Sequence, residues 1–169
     1  TDIAGLYNRL ESTIAGRTIT NEDFVNCPNW LPITFKIEGS EWFDPTDTEI
    51  LEFERELDFK TGVLSRTLIV RDKAGHQTQI TSRRFASMAD PHLAGMRYQI
   101  TPLNYAKKLT VRSGLEGNII NYGVKRYREL SSRHLQPVEQ WGESNTSALV
   151  VETNQSKIKV AQAARLSVR

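Results

Sequence analysis

The sequence predicts an all-β fold, a sandwich of two antiparallel β-sheets. From about Leu31 onward, short runs of alternating apolar and polar residues end at turn-forming residues. Hardly any stretch keeps a 3.6-residue apolar period over ten positions, which argues against helices. Eight or more short strands at this spacing are typical of a two-sheet sandwich.

The clearest strand is predicted at residues 51–59. Four apolar side chains share one face of it: Leu51, Phe53, Leu57 and Phe59. Four carboxylates share the other face: Glu52, Glu54, Glu56 and Asp58. We expect the apolar face to pack in the core, because a shift of one residue would bury the four carboxylates instead.

A three-stranded meander is predicted to start from this strand. Residues 60–62, with the sequence Lys-Thr-Gly, predict a three-residue turn in which the glycine takes a positive φ. Residues 63–71 then return as the second strand. A loop of this length would place Glu56 opposite Arg66, as an ordinary cross-strand ion pair.

Turn chemistry separates the remaining runs. Residues 72–75, with the sequence Asp-Lys-Ala-Gly, predict a turn before the third strand of the meander at residues 77–85. Residues 140–146 are polar enough to form a surface loop. Further strands are predicted at residues 33–38, 97–102, 108–112, 148–152 and 158–166.

Length and charge limit the class of protein. The 169 residues, 38% hydrophobic and 25% charged, suffice for one ordinary core, so residues 1–169 are expected to form one β-sandwich domain. The 22 basic and 20 acidic side chains are mixed along the chain and give a net charge of +2, which argues against a nucleic-acid partner. No apolar run reaches the roughly 18 to 20 residues that span a bilayer, so no membrane partner is expected.

Cys27 is the only cysteine, and it limits the redox chemistry of the chain. An internal disulfide and a thiolate zinc cage cannot form from one thiol, which favours a reducing compartment such as the cytoplasm. The sequence starts without methionine, and its last residues have the pattern of a strand. We therefore expect the chain to be a piece of a longer polypeptide.

Catalytic and cofactor motifs are absent from the sequence. His76, His92 and His134 lack metal-ligand spacing, and no nucleotide-binding or hydrolase signature occurs, so neither a metal nor a cofactor is expected. Carboxylates two residues apart on a strand lie about 6.6 Å from each other, within the range that glycosidases use. Because the acidic row at residues 52–58 alternates with apolar residues, a solvated strand face is the favoured interpretation.

Three aromatic residues are candidates for stacking on sugar rings: Trp42, Trp141 and Tyr127. The C–H face of a pyranose packs well on an aromatic plane. Packing of these rings in a core or an interface is the alternative, and the sequence favours it.

Several runs along the chain follow a recognisable pattern: residues 4–8, 25–31, 55–58 with 62–66, 84–93, 100–104 and 123–128. Together they cover about residues 4–137. In sequence and in order they resemble the N-terminal domain of glycoside hydrolase family 65. This family holds inverting phosphorylases of maltose, trehalose, kojibiose and related α-glucosides, together with acid trehalases.

The resemblance implies a large twisted β-sandwich, a supersandwich of the kind found in galactose mutarotase. In the family an (α/α)6 barrel follows the sandwich and carries the general acid and the phosphate site. The 169 residues contain neither, so this piece alone is not expected to be an enzyme. The parent chain would be an inverting disaccharide phosphorylase, a glycosyltransferase, or a glycoside hydrolase.

The family pattern also implies partners and a role for this domain. Its partners would be the barrel of the same polypeptide and a second copy in a homodimer, and its loops would shape the sugar pocket. If a loop reaches a disaccharide ligand, the segment with Arg84, Asp90 and His92 is the best candidate, unless these residues only lock the loop internally. The alternatives are an autonomous carbohydrate-binding module and a structural or dimerisation domain without a ligand.

Overall fold

The computed structural model describes residues 2–122 and 129–169, which form strands joined by turns and loops. The all-β antiparallel fold class is confirmed. The helical turn Pro45–Asp47 interrupts the strands. The strands are β1 (Asp2–Ile14), β2 (Arg17–Asn26), β3 (Ile33–Ile37), β4 (Glu49–Asp58), β5 (Val63–Arg71), β6 (Gln77–Ala86), β7 (Ala94–Pro102), β8 (Leu109–Ser113), β9 (Leu135–Glu143), β10 (Thr146–Thr153) and β11 (Lys159–Arg165).

The chain divides into two compact units. The first unit comprises Thr1–Pro32 and Ser113–Arg169, and the second comprises Ile33–Arg112. The first unit holds the β1-β2 hairpin and the sheet β11-β10-β9. The second holds the sheet β4-β5-β6-β7 and most of the β3-β8 pair. The count of one sandwich domain for residues 1–169 stays a prediction.

The β1-β2 hairpin opens the first unit and was not among the predicted strands. Its turn uses Ala15 and Gly16, both with positive φ. The buried positions of β1 are Leu6, Asn8 and Ser12, so two of the three inward side chains are polar. An apolar period cannot reveal such a strand, because its inner face is held by hydrogen bonds as well as by apolar contact.

Asn8 is central to the packing of the first unit. Its carboxamide oxygen accepts hydrogen bonds from the backbone N–H groups of Gln155 at 3.1 Å and Ser156 at 2.9 Å. These bonds tie β1 to the turn between β10 and β11. The apolar core beside it is formed by Leu6, Val25, Cys27, Leu135, Val151 and Val160.

The prediction of a loop at residues 140–146 is wrong. β9 continues to Glu143, which pairs with Thr146, and Ser144 takes a positive φ in a tight turn. Every residue of β9 after Leu135 is exposed. The strand therefore lacks an apolar face, and its amino-acid composition is like that of a surface loop.

The second unit is built on the predicted meander, which continues to a fourth strand, β7. Its buried core residues are Phe35, Ile37, Leu68, Val70 and Ile80. Leu68 and Val70, two residues apart on β5, lie on one face of the sheet, and Ile80 lies on the same face because it pairs with Leu68.

The predicted pairing of Glu56 with Arg66 is wrong by one residue. Glu56 pairs with Ser65, and Arg55 pairs with Arg66. The loop has four residues instead of three, because Asp58 and Val63 form the closing pair. Asp58 stabilises this longer turn: its carboxylate accepts from the Lys60 N–H at 2.9 Å and its carbonyl from the Gly62 N–H at 2.8 Å.

The apolar row of β4 is not buried as expected. Phe53 is 58% exposed, Leu57 is 47% exposed and Phe59 is 90% exposed. β4 is an edge strand of the sheet, and the core of this unit contacts the central strands β5 and β6 instead. The acidic row, Glu52 to Asp58, is exposed as predicted.

Candidate ligand pocket

A pocket of about 280 Å³ lies in the second unit, between two chain segments that meet beside the core. One segment runs from Phe35 on β3 to Thr48, just before β4. The other is the β5–β6 turn, from Val70 to Thr78. The volume is close to the lower end of the range of roughly 300 to 1,000 Å³ found for small-molecule sites.

Two phenylalanines form the apolar part of the pocket. The rings of Phe35 and Phe43 are stacked, with centroids 5.1 Å apart and an interplanar angle of 17°. The backbone fixes this pair, since the Phe43 N–H donates to the Phe35 carbonyl at 2.7 Å. Phe35 is only 2% exposed, which anchors the wall in the core of the unit.

Asp72 and His76 form the polar part of the pocket. Asp72 Oδ2 lies 2.8 Å from His76 Nδ1, and Asp72 Oδ1 accepts from the backbone N–H groups of Ala74 and His76, each at 2.9 Å. Burial of Asp72 favours its neutral form, but the hydrogen bonds from His76 and the backbone outweigh burial. The pKa of Asp72 therefore lies below its ordinary value.

The Asp72 carboxylate also sets the tautomer of His76. Because a carboxylate accepts, Nδ1 carries the proton of the neutral ring, and Nε2 keeps a lone pair for a hydrogen-bond donor. The imidazole packs edge-on against Tyr105, with centroids 5.1 Å apart. The Tyr105 hydroxyl in turn lies 2.9 Å from the Thr78 hydroxyl. His76 is thus held in one orientation at the wall of the pocket.

Charged side chains surround the pocket. Lys73 and Asp47 lie 3.8 Å apart as an exposed ion pair. Asp44 begins the helical turn by accepting from the Thr46 hydroxyl and N–H, and these bonds lower its pKa. The rim is therefore polar and the wall aromatic, a combination that suits a small ligand with both hydroxyl groups and an apolar face.

Trp42, a predicted stacking residue, lines this pocket. The Arg112 guanidinium carbon lies 4.3 Å from the centroid of the Trp42 ring, and Lys36 Nζ lies 5.4 Å from it. These are cation–π distances, so two cations already contact the indole. Sugar stacking on Trp42 stays a prediction.

The other two stacking candidates lie elsewhere. Trp141 is on β9 in the first unit and is 51% exposed. It pairs with Ala148 on β10. Tyr127 lies outside the described residues. The structure thus does not bring the described candidates, Trp42 and Trp141, into one unit.

The predicted substrate loop follows β6. Arg84 lies on β6, while Asp90 and His92 lie in the loop before β7. The Asp90 carboxylate accepts from the His92 N–H at 2.9 Å, and the Ser87 hydroxyl accepts from the Asp90 N–H at 3.0 Å. The loop is therefore fixed by its own hydrogen bonds, and Met88 at its tip is 97% exposed.

Metal ligation has no support in the part of the chain that the structure describes. No group of three or more His, Cys, Asp or Glu side chains there could hold a metal ion. Likewise, residues 2–122 and 129–169 contain no helix that is both long and apolar enough to cross a membrane.

Sequence reasoning missed the pocket itself. The signal for its polar side was present, since an aspartate four residues before a histidine with glycine between them is the pattern of a turn closed by side chains. Gly75 in this turn takes a φ of 86°. The aromatic wall comes from a distant segment, and only folding brings Phe43 and Val70 to the same pocket.

Comparisons with known proteins agree on one family. The model of the N-terminal domain of glycosyl hydrolase family 65 matches residues 1–169. The uncharacterized glycosyl hydrolase Rv2006 of Mycobacterium tuberculosis is 40% identical over 165 residues, which is 98% of this chain and 12% of that protein. A kojibiose phosphorylase of Caldanaerobacter subterraneus is 37% identical over 138 residues, which is 81% of this chain and 16% of that protein.

The fold is also found in a solved structure. A structure described as a kojibiose phosphorylase from the human microbiome superposes with a TM-score of 0.81 at 19% identity. The match covers 99% of this chain and 22% of that one. The chain thus spans less than a quarter of the length of these similar proteins.

Proposed function

The chain belongs to glycosyl hydrolase family 65 as its N-terminal domain, and on this premise we propose that it is the non-catalytic domain of an enzyme of disaccharide metabolism. The enzyme would be an inverting α-glucoside phosphorylase or a glycoside hydrolase. The named relatives are phosphorylases and glycosyl hydrolases, which supports the enzyme class. In this proposal, the type of reaction and the identity of the disaccharide substrate are set by residues outside this chain.

The chemistry of inverting phosphorolysis defines what this domain leaves to the rest of the polypeptide. The reaction needs an acid on the glycosidic oxygen and a phosphate on the opposite face of the sugar. In our proposal an (α/α)6 barrel supplies both. The present domain supports the barrel, shapes the entrance of its active site, excludes water and takes part in a homodimer.

The exposed apolar row of β4 carries this proposal. Large apolar side chains are exposed in this row: Phe53, Leu57 and Phe59. A domain acting alone would be more stable if these side chains were buried. Exposed apolar clusters mark contact sites for other protein surfaces. A second apolar point, Met88, stands at the tip of the loop that holds Asp90 and His92. A loop fixed internally can wall a sugar pocket without becoming ordered at each binding event.

The test uses both the present chain and the longer polypeptide that carries it. We expect no phosphorolysis of kojibiose, trehalose or maltose by the purified 169-residue chain, and measurable turnover would refute the proposal. In the longer polypeptide, we expect the double change Leu57→Ser and Phe59→Ser to lower Tm and kcat/KM. The matched control is Glu54→Ser with Glu56→Ser, on the opposite face of the same strand, which we expect to leave both unchanged.

The pocket favours a second candidate function, an autonomous carbohydrate-binding module. Its aromatic wall and the oriented His76 are the features that a sugar ring would contact. Titration of the chain with maltose, trehalose and kojibiose, followed by Trp fluorescence and amide shifts, tests it. Saturable shifts at Trp42 that His76→Ala abolishes would support this function, and unchanged spectra would exclude it.

We further propose that the protein acts in a reducing compartment, the cytoplasm. Cys27 is a free cysteine and is 2% exposed, and burial raises the pKa of its thiol. Both properties suit a thiol that packs as an apolar side chain. Cell fractionation followed by immunoblotting tests the location.

A further inference from the structure

Three arginines of the second unit share one face of its sheet. Arg55 on β4 pairs directly with Arg66 on β5. Arg84 on β6 pairs with Leu64, two residues from Arg66, so Arg84 is a diagonal neighbour of Arg66 on the same face. Directly opposed side chains have Cβ atoms about 5 Å apart, and diagonal neighbours about 7 to 8 Å. The register therefore places Arg55 and Arg84 on either side of Arg66, on the same face of the sheet.

No carboxylate neutralises this cluster within residues 2–122 and 129–169, since none of the three arginines takes part in an ion pair there. The acidic row of β4 cannot neutralise the cluster, because side chains alternate along a strand and the acidic ones lie on the opposite face of the sheet from Arg55. Like charges directly opposite each other destabilise a sheet. Among the described residues, the opposed pair Arg55 and Arg66 thus has no ion-pair partner to offset its repulsion.

Arg66 also carries an orphaned donor. Its Nε is buried and has no hydrogen-bond partner. Buried N–H groups in folded proteins are almost always bonded, and one that is not requires an explanation such as an absent ion or ligand. The unbonded Arg66 Nε is an observation separate from the missing ion pairs, and it concerns the central arginine of the three.

Tyr98 borders the cluster on the same face. It pairs with Ser82, which pairs with Arg66, so Tyr98 and Arg66 lie on one rung of the sheet. Burial raises the pKa of the Tyr98 hydroxyl, and the positive charge of Arg66 partly opposes this effect. A tyrosine hydroxyl adds a neutral donor to a set of guanidinium donors.

We propose that Arg55, Arg66, Arg84 and Tyr98 form a binding site for an oxyanion, a phosphate or a carboxylate group. Guanidinium groups bind the oxygens of both anions in parallel pairs of charge-assisted hydrogen bonds. An oxyanion here would satisfy the Arg66 Nε and remove the repulsion between Arg55 and Arg66. The site is separate from the pocket beside Trp42 and does not depend on the proposed enzyme class.

NMR of the arginine Nε–Hε signals of the 169-residue chain tests the site. Inorganic phosphate and acetate, at constant ionic strength in sodium chloride, serve as the two oxyanion probes. We expect a saturable shift of the Arg66 signal with a millimolar Kd, accompanied by shifts of Arg55 and Arg84. Whichever probe binds more tightly identifies the oxyanion class.

Two variants on β6 make the test specific. Arg84→Gln removes one guanidinium of the cluster and should weaken binding about tenfold, the effect expected for a lost charge-assisted hydrogen bond. Arg83→Gln changes the charge equally on the adjacent residue, which faces the other side of the sheet, and should leave Kd unchanged. Shifts that do not saturate, that chloride reproduces, or that both variants weaken equally would overturn the proposal.

Discussion

Asn8 Nδ2 donates a hydrogen bond to His134 Nδ1 at 3.1 Å, in the interior of the first unit. The orientation of the Asn8 amide is fixed, because its oxygen accepts from two backbone N–H groups. His134 Nδ1 must therefore accept, and the proton of the neutral ring lies on Nε2, 3.3 Å from Asp23 Oδ2. Protonation of Nδ1 would place two donors against each other. The network thus selects the neutral imidazole.

The first prediction concerns the pH dependence of stability. Burial lowers the pKa of His134, and nearby Asp23 only partly opposes this effect. The unfolded state therefore binds the proton more readily than the folded state. The contribution of His134 to the free energy of unfolding is complete above pH 6.5, and the free energy of unfolding decreases as pH falls below that value. Thermal unfolding between pH 8 and pH 5 measures this slope. A His134→Gln variant should show a flatter profile, and a profile as steep as that of the parent would contradict the assignment.

The second prediction concerns the removal of the Asn8 side chain. Asn8→Ala leaves two backbone N–H groups and the His134 lone pair without partners in a site where Asn8 is 1% exposed. We expect a loss of about 2 to 4 kcal/mol in the free energy of unfolding, measured by urea denaturation. Asn118→Ala, at an exposed position, is the matched control, with an expected change within about 0.5 kcal/mol.

The third prediction concerns the carboxylate of the ligand pocket. Asp72→Asn removes a charged acceptor for His76 and for two backbone N–H groups, and should cost about 1.5 to 3 kcal/mol at pH 7. The folded-state pKa of Asp72 lies below 3.8, so its contribution is present above that pH and is lost as pH falls through the folded value. Parent and variant should therefore converge in acid.

Urea denaturation at pH 7 and at pH 3 measures that convergence. Asp47→Asn, in the exposed ion pair with Lys73, is the control and should change stability by less than about 1 kcal/mol at either pH. An Asp72→Asn variant that loses as much stability at pH 3 as at pH 7 would show that shape, and not charge, is what Asp72 contributes.

The fourth prediction concerns the β4–β5 turn. Gly62 takes a φ of 67°, where a side chain is strained although no atom lies near the position of a Cβ. Gly62→Ala should lower stability by about 1 kcal/mol. Gly114→Ala is the control, because Gly114 has the same open space without a positive φ. Equal Tm values for the two variants would show that the turn adjusts without cost.

The strands that the sequence predicted are those with a local apolar period. The central strand β5 places Leu68 and Val70 in the core, and its alternation is visible in the residues themselves. β1 and β9 escaped prediction for opposite reasons: β1 buries polar Asn8, and β9 buries only its first residue. In both strands tertiary hydrogen bonding or edge position replaces the apolar pattern.

The strand registers and the ligand pocket could not be predicted from a local sequence pattern. The extra residue in the β4–β5 loop follows from how the Asp58 side chain closes the turn, and it moves Arg55 opposite Arg66. The ligand pocket requires the approach of segments about thirty residues apart in sequence. The resemblance identified the family, whereas the arginine cluster became visible only when the register was known.

The acidic row of β4 has a consequence for solubility. β4 forms one edge of the sheet among the described strands, and a strand of ten residues at an edge offers free backbone groups to a strand of another molecule. Four carboxylates along one side of that edge repel the same strand of a second copy. Aggregation through edge pairing is thereby discouraged, although the apolar side of the same strand, with Phe53 and Leu57, is exposed.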